Sequence, residues 1–250
     1  MINDEVVNIV ETTPIDVCRY FLIGVPDVGL VGSIALSYVI KEKEMGEVGY
    51  LESDAFPPVI VVHEGEPRSP LRLYRKDDVV ALISEIPIEL KLLPQIARSI
   101  VDWAKSKGVE LLIALSGIAV QNRLEIEMPK VYYIGSSTSV KNISKSLEID
   151  VFEEGFITGL QAILMKESLK KNVPNMILLA QSHLQYPDPG AAASLITSFS
   201  KLLEWEIDVK NLLTQEEEIR LQLRELMQRT QKQMLMAQKG REQEIPQMYV

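Results

Sequence analysis

Five stretches of the chain carry side chains whose types and spacing could do chemistry. The first is Gly24-Val-Pro-Asp-Val-Gly29-Leu-Val-Gly32, placed between an apolar run and a helical one. A glycine loop at such a junction is where backbone N–H groups and a helix dipole would cradle a phosphate. The spacing is not that of a dinucleotide loop, no lysine is present for a phosphate-binding P-loop, and Asp27 would set a negative charge where phosphate should sit. Asp27 suits a helix N-cap or a first-turn acid, and Gly29 and Gly32 suit close approach of a second element. The loop is therefore read as a packing device; the alternatives are a small-molecule or nucleotide-binding α/β enzyme using Gly24–Gly32, or a scaffold assembling with another partner protein. The second is Ser116-Gly117, after another apolar run, which lacks the first glycine of a nucleophile elbow. Third, His63 and His183 stand far apart, each without a neighbouring His or Cys, so no metal site is expected. Fourth, Glu125 and Glu127 lie in a charged stretch and read as a solvated loop, while Asp188 in Pro187-Asp-Pro-Gly190 reads as a helix cap. No nucleophile, base and oxyanion hole assemble, so a non-catalytic protein without cofactor is expected. The fifth is the terminal tripeptide Met248-Tyr249-Val250. It closes a polar, Gly- and Pro-containing tail, and an apolar-aromatic end on such a tether is free to enter another protein's pocket.

Composition narrows the partners. The chain has 250 residues, 46% of them hydrophobic, which suits one large domain with an appendage or two small domains. Net charge is −9, which argues against nucleic acid or an anionic membrane surface as partner. The charge is uneven: residues 209–250 hold 7 Lys and Arg against 6 Asp and Glu, the remainder 19 against 29. One cysteine, Cys18, excludes an internal disulfide and reads as a small buried hydrophobe. With no signal-like start and no apolar run near the length of a membrane span, the cytoplasm is expected.

The elements that would position these residues alternate between strand and helix. Val17–Val25 reads as a buried strand, followed by a helix opening at Pro26-Asp27 and a strand at 47–53, a βαβ start that predicts a parallel sheet. Val59–His63, Leu71–Tyr74 and Val79–Ser84 read as short strands in antiparallel hairpins, with 64–70 as a loop. Leu90–Lys107 is an amphipathic helix closed by Gly108, Leu111–Leu115 a strand, Ser116–Met128 a loop and Val131–Ile134 a strand. Phe156–Lys171 and Asp188–Trp205 read as helices around a strand at Met176–Ala180. From residue 209, Val209, Leu212, Ile219, Leu223 and Leu226 recur at helical steps among charges, predicting one helix of about 30 residues that packs on the body or on a neighbouring copy. The expected fold is α/β: a three-layer, mixed and mainly parallel sheet flanked by helices, plus a long C-terminal helix and a flexible tail. The divisions are 1–208 for the α/β domain, 209–238 for the extended helix and 239–250 for the tail.

An ordered set of these segments resembles a known family. It comprises Gly24-Val-Pro-Asp-Val-Gly-Leu-Val-Gly-Ser33, Phe56-Pro57-Pro58, Arg72-Leu-Tyr74, Ser116-Gly117, Tyr133-Ile-Gly135, Gly155-Phe-Ile-Thr-Gly159, Pro187-Asp-Pro-Gly-Ala-Ala192 and the run from Leu202-Leu203 to Leu212-Leu213. Together they look like the archaeal branch of the proteasome assembly chaperone two family, over about residues 5–213; Asp27 stands where that family more often has Gly. The resemblance implies an α/β core similar to the nucleoside phosphorylase fold and a chaperone or activator of the proteasome α-ring. The ending Met248-Tyr249-Val250 likewise resembles the HbYX motif of proteasome-binding proteins. Carried over, Tyr249 and the Val250 carboxylate would contact the α-ring pocket, the latter through a lysine, with Met248 as hydrophobic anchor. One such tail binds weakly and several bind by avidity, so a homo-oligomer is expected.

Overall fold

The apolar runs read as central strands do form the middle of one sheet. The structure is a computed structural model that describes residues 6–244. Four adjacent strands are mutually parallel: β7 (Val79–Ser84), β2 (Tyr20–Gly24), β8 (Leu111–Ala119) and β11 (Asn175–Ser182). On one side the sheet continues through β6 (Leu71–Lys76), β3 (Gly46–Glu52) and β1 (Asn8–Glu11), each antiparallel to its neighbour. On the other it continues through β9 (Val131–Gly135), antiparallel to β11, and the two-residue β10 (Asp150–Val151). The full order is β1-β3-β6-β7-β2-β8-β11-β9-β10.

Period-two alternation sends successive side chains to opposite faces, so each central strand feeds two cores. Leu22, Ile113 and Leu178 face α1 (Val31–Glu42) and α5 (Pro189–Leu202) in one cluster. Phe21, Ile23, Leu112 and Ile177 face α2 (Leu93–Ser106) and α4 (Gly159–Lys171) in the other. These are the three layers expected for strands that are apolar on both faces.

Several elements differ from the sequence reading. β3 does not pair with β2; the β6–β7 hairpin lies between them and β7 takes the hydrogen bonds of that edge. Residues 64–70, read as a loop, contain β5 (Glu66–Arg68), which pairs with β4 (Val61–His63) as a separate two-stranded hairpin. The stretch read as a loop from Ser116 begins as strand, because β8 keeps pairing with β11 as far as Ala119↔Ser182. A polar helix, α3 (Thr138–Ser146), was not expected; Ser137 caps it, accepting from the Val140 N–H. The helix expected from Phe156 begins at Gly159, and Phe156 lies 96% exposed.

The C-terminal arm comprises α6 (Lys210–Thr214), α7 (Glu216–Gln222) and α8 (Arg224–Glu244). Bends at Gln215 and Leu223 separate them, while hydrogen bonds from the N–H groups of Gln215, Ile219, Leu223 and Met227 to the fourth residue back run through both bends. A straight rod would leave a rounded body. The bends instead let Leu212 and Met227 reach the core that contains α1 and α5, with Ile219, Leu223, Leu226 and Met234 packed beside them. Among the described residues, no helix is long and apolar enough to cross a membrane.

Candidate functional site

Parallel neighbours end on the same side of a sheet. Gly24 of β2 lies in register with Leu115 of β8, so Asp27, just past the carboxyl end of β2, comes beside Ser116 of β8, which runs on to Ala119. The chain leaves β2, makes a 3-10 turn at Val28–Leu30, and enters α1 through two successive left-handed residues, Gly29 (φ 62°) and Leu30 (φ 52°). The first turn of α1 then lies directly on the strands. A Cβ on Gly24 would stand 2.4 Å from the Gly32 carbonyl oxygen, and one on Gly32 would stand 2.4 Å from the Leu115 carbonyl oxygen. The glycines thus serve backbone packing, as the sequence reading held.

Asp27 does not cap this turn, contrary to the expectation; its side chain makes no cap hydrogen bond. It faces the other layer, where its Oδ2 accepts from Ser116 Oγ at 2.5 Å and from Gln161 Nε2 of α4 at 2.8 Å. Ser116 and Gln161 are both buried. Burial pushes the Asp27 carboxyl up to about 8, and the two hydrogen bonds, which favour the ionised form, do not offset it. Asp27 Oδ1 is closed off from solvent and has no hydrogen-bond partner among the described residues. With both donors on Oδ2, the proton belongs on Oδ1.

The three residues form part of the wall of a cavity of about 530 Å3. Leu90, Ile118, Phe156 and Leu184 supply apolar wall, and Thr230, Gln233 and Met234 of α8 close another side. Next to it, Arg123 is buried and grips Asp188 with two bonds, Nε to Oδ2 at 2.7 Å and Nη2 to Oδ1 at 2.8 Å. Asp188 also accepts from the Ala191 N–H, so it caps α5 as expected, and from the His183 N–H. The Asp188 N–H in turn donates to the Gly29 carbonyl, tying the start of α5 to the β2–α1 turn.

Among the sequence candidates, Asp27 is brought to Ser116, and Asp188 to the His183 backbone and to Gly29. Neither Asp27 nor Ser116 is hydrogen-bonded to a histidine among the described residues, so the pair lacks the relay of a serine hydrolase. His63 lies on the β4–β5 hairpin beside Glu85 and Arg72, and Glu125 and Glu127 are exposed. Cys18 is buried, and burial pushes its thiol up to about 12. No group of three or more His, Cys, Asp or Glu that could hold a metal is present among the described residues. The partner-binding residues Met248, Tyr249 and Val250 lie outside the described residues. Gln161 and Arg123 had not been singled out. Gln161 meets Asp27 across 134 positions of sequence, a pairing with no local signal.

A family model described as the PAC2 family matches residues 21–227, from β2 into α8. The crystal structure of Pyrococcus furiosus PbaA, described as an archaeal homolog of proteasome-assembly chaperone, superposes with a TM-score of 0.84 at 32% identity, covering 90% of this chain and 98% of that one. P. furiosus PbaB, described as an archaeal proteasome activator, shares the fold at a TM-score of 0.74 and 21% identity, over 89% of this chain and 99% of its own. An uncharacterised protein of Methanocaldococcus jannaschii is 28% identical over 214 residues, 86% of this chain and 87% of the relative.

Proposed function

The chain belongs to the PAC2 family, and on that footing we propose that it binds proteasomes, as an assembly chaperone or activator homologue that docks its C-terminal residues between α-ring subunits. The observation that carries this reading is the 32% identity to PbaA, a homolog of proteasome-assembly chaperone, over 90% of the chain. In this reading residues 1–208 are the body, 209–238 the arm and 239–250 the tether. Met248 supplies an apolar anchor and Tyr249 a large apolar body with a polar tip. The Val250 carboxylate makes a charge-assisted hydrogen bond with a pocket lysine. Ordering one flexible tail is costly, so a homo-oligomer that presents several tails at once gives the useful affinity. The role is non-catalytic, in the cytoplasm where proteasomes work.

The test is a pull-down of proteasome α-rings with the intact chain and with a chain lacking Met248–Val250. Binding by the intact chain and its loss on truncation, with an unchanged circular-dichroism spectrum and melting temperature, is the expected result. Equal binding by both would refute tail docking, and failure of the intact chain to bind would refute the proteasome as partner.

A further inference from the structure

The β4–β5 hairpin carries apolar side chains that the fold leaves uncovered. Ile60 and Val62 are 67% and 60% exposed. A two-stranded hairpin without a third strand or a covering surface is marginal in water. Polar groups tie this one to the body: His63 meets Glu85, and Arg68 lies 3.5 Å from Glu47. At its turn stands Glu64, exposed and without an ion-pair partner among the described residues. A second feature is a cleft of about 590 Å3 between the loop after β11 and the arm. Leu124, Tyr186 and Leu221 are exposed there, Leu124 to 88%, with buried Met227 behind them. Arg224 of α8, in the same wall, is exposed and has no ion-pair partner among the described residues, whereas Arg220 is paired with Glu216.

Both features stand at the carboxyl edge of the parallel strands, the hairpin by the end of β7 and the cleft by the end of β11. The strand order β7-β2-β8-β11 sets them about 14 Å apart, so the hairpin does not cover its own cleft. They match in kind: an apolar projection with a spare carboxylate, and an apolar recess with a spare guanidinium. Charge also selects among contacts between copies. The hairpin belongs to residues 1–208, with 19 Lys and Arg against 29 Asp and Glu, and Arg224 to the segment with 7 against 6. Body against body is therefore repelled, and body against arm is not. Exposed apolar patches rimmed by polar residues mark interfaces, and a second copy always brings the complementary half. We propose that the β4–β5 hairpin of one copy docks in the cleft of the next, with Ile60 and Val62 against Leu124, Tyr186 and Leu221, and Glu64 against Arg224. Because the two surfaces differ, the contact is head-to-tail. It rests on the homo-oligomer of the proposed function, supplies its interface, and uses none of Met248–Val250.

Light scattering after size exclusion, on the full-length protein without proteasomes, reads the mass over a dilution series. A multiple of the chain mass is expected. Glu64→Arg and Arg224→Glu are each expected to weaken self-association by about tenfold, since like charges then face each other. An equimolar mixture of the two variants is expected to recover it, because each supplies the charge that the other has reversed. Ile60→Asp is expected to weaken it by about tenfold or more. Both charge variants change exposed side chains, and an unchanged circular-dichroism spectrum separates their effect from misfolding. A monomer at every concentration, unchanged self-association in both charge variants, or no recovery on mixing would each overturn the proposal. Loss of α-ring binding by Ile60→Asp with unchanged self-association would also overturn it, by assigning the hairpin to the proteasome. A monomeric chain that still pulls down α-rings would overturn this interface and leave the proteasome as partner.

Discussion

Asp27 and Asp188 are the same residue type, held near one another in the fold by opposite means. Asp188 has a guanidinium at 2.7 and 2.8 Å and two backbone donors, so both of its oxygens are occupied. Asp27 has two neutral donors on one oxygen and nothing on the other. Burial therefore decides its state, and the folded protein holds it protonated up to about pH 8. The unfolded chain releases that proton near the ordinary carboxylate value, so between the two values the native state binds more protons than the unfolded one. Stability then falls as pH rises from about 4 towards 8. In Asp27→Asn this contribution is absent. The variant should match the parent at pH 5, where both present an unmet donor, and exceed it at pH 8 by roughly 3–4 kcal/mol in urea denaturation. Parallel pH profiles for the two proteins would show that Asp27 ionises freely in the fold.

At the scale of elements, the crossing of α1 over β2 and β8 is the tightest junction near the cavity. Alanine within a helix gains about 1 kcal/mol over glycine in propensity. At Gly32 that gain is outweighed, because the new Cβ meets the Leu115 carbonyl oxygen at 2.4 Å and the obstacle is backbone. Gly32→Ala is expected to destabilise by about 2–3 kcal/mol, read as a lowered denaturation midpoint. A midpoint equal to or above the parent's would mean that α1 can lift off the sheet without loss. The bends at Gln215 and Leu223 act on the same scale in another way. They turn a weak apolar stripe into one that follows the body, so Leu212 and Met227 are 1% and 2% exposed although the stripe itself is narrow.

Across the whole molecule, the arm is continuous with the core. Deleting the chain from Lys210 onward would bare the surface that Leu212, Met227 and their neighbours cover. The two buried side chains alone account for roughly 3–6 kcal/mol. The shortened protein should therefore unfold at lower denaturant and bind a hydrophobic dye such as ANS. A stability equal to that of the full chain would mean that the arm contributes no net packing energy to the body. Removing Met248–Val250 alone is expected to act on partner binding, read in the α-ring pull-down. The acidity of residues 1–208 against a near-neutral C-terminal segment leaves the tail free of strong like-charge repulsion from its own tether.

Much of this architecture was legible in the residues alone. Val17–Val25, Leu111–Leu115 and Met176–Ala180 are apolar on both strand faces, and such segments are stable only inside a sheet covered on both sides. Gly29 and Gly32 read as sites of close approach, although the partners they meet, Ser182 and Leu115, are distant in sequence, and Asp188 read as a cap from the turn residues around it. α3 was not read from the sequence, since its nine residues are mostly Ser, Lys and Asn and its apolar face is only Val140 and Ile143 over two turns. The separation of β2 from β3 was not legible either, because strand order depends on which edge the β6–β7 hairpin takes, a contest between distant segments. The same holds for the site. Sequence determined that the chain leaves its strand at Gly24 and carries Asp27 into the turn before α1, whereas Ser116, read as the start of a loop, lies within β8. Only the tertiary structure decided that Asp27 turns away from its own helix to Ser116 and Gln161. The strand register and the uncapped start of α4 place those donors where a buried carboxyl is short of partners, and hydrogen bonds across 89 and 134 positions leave no periodicity in a sequence.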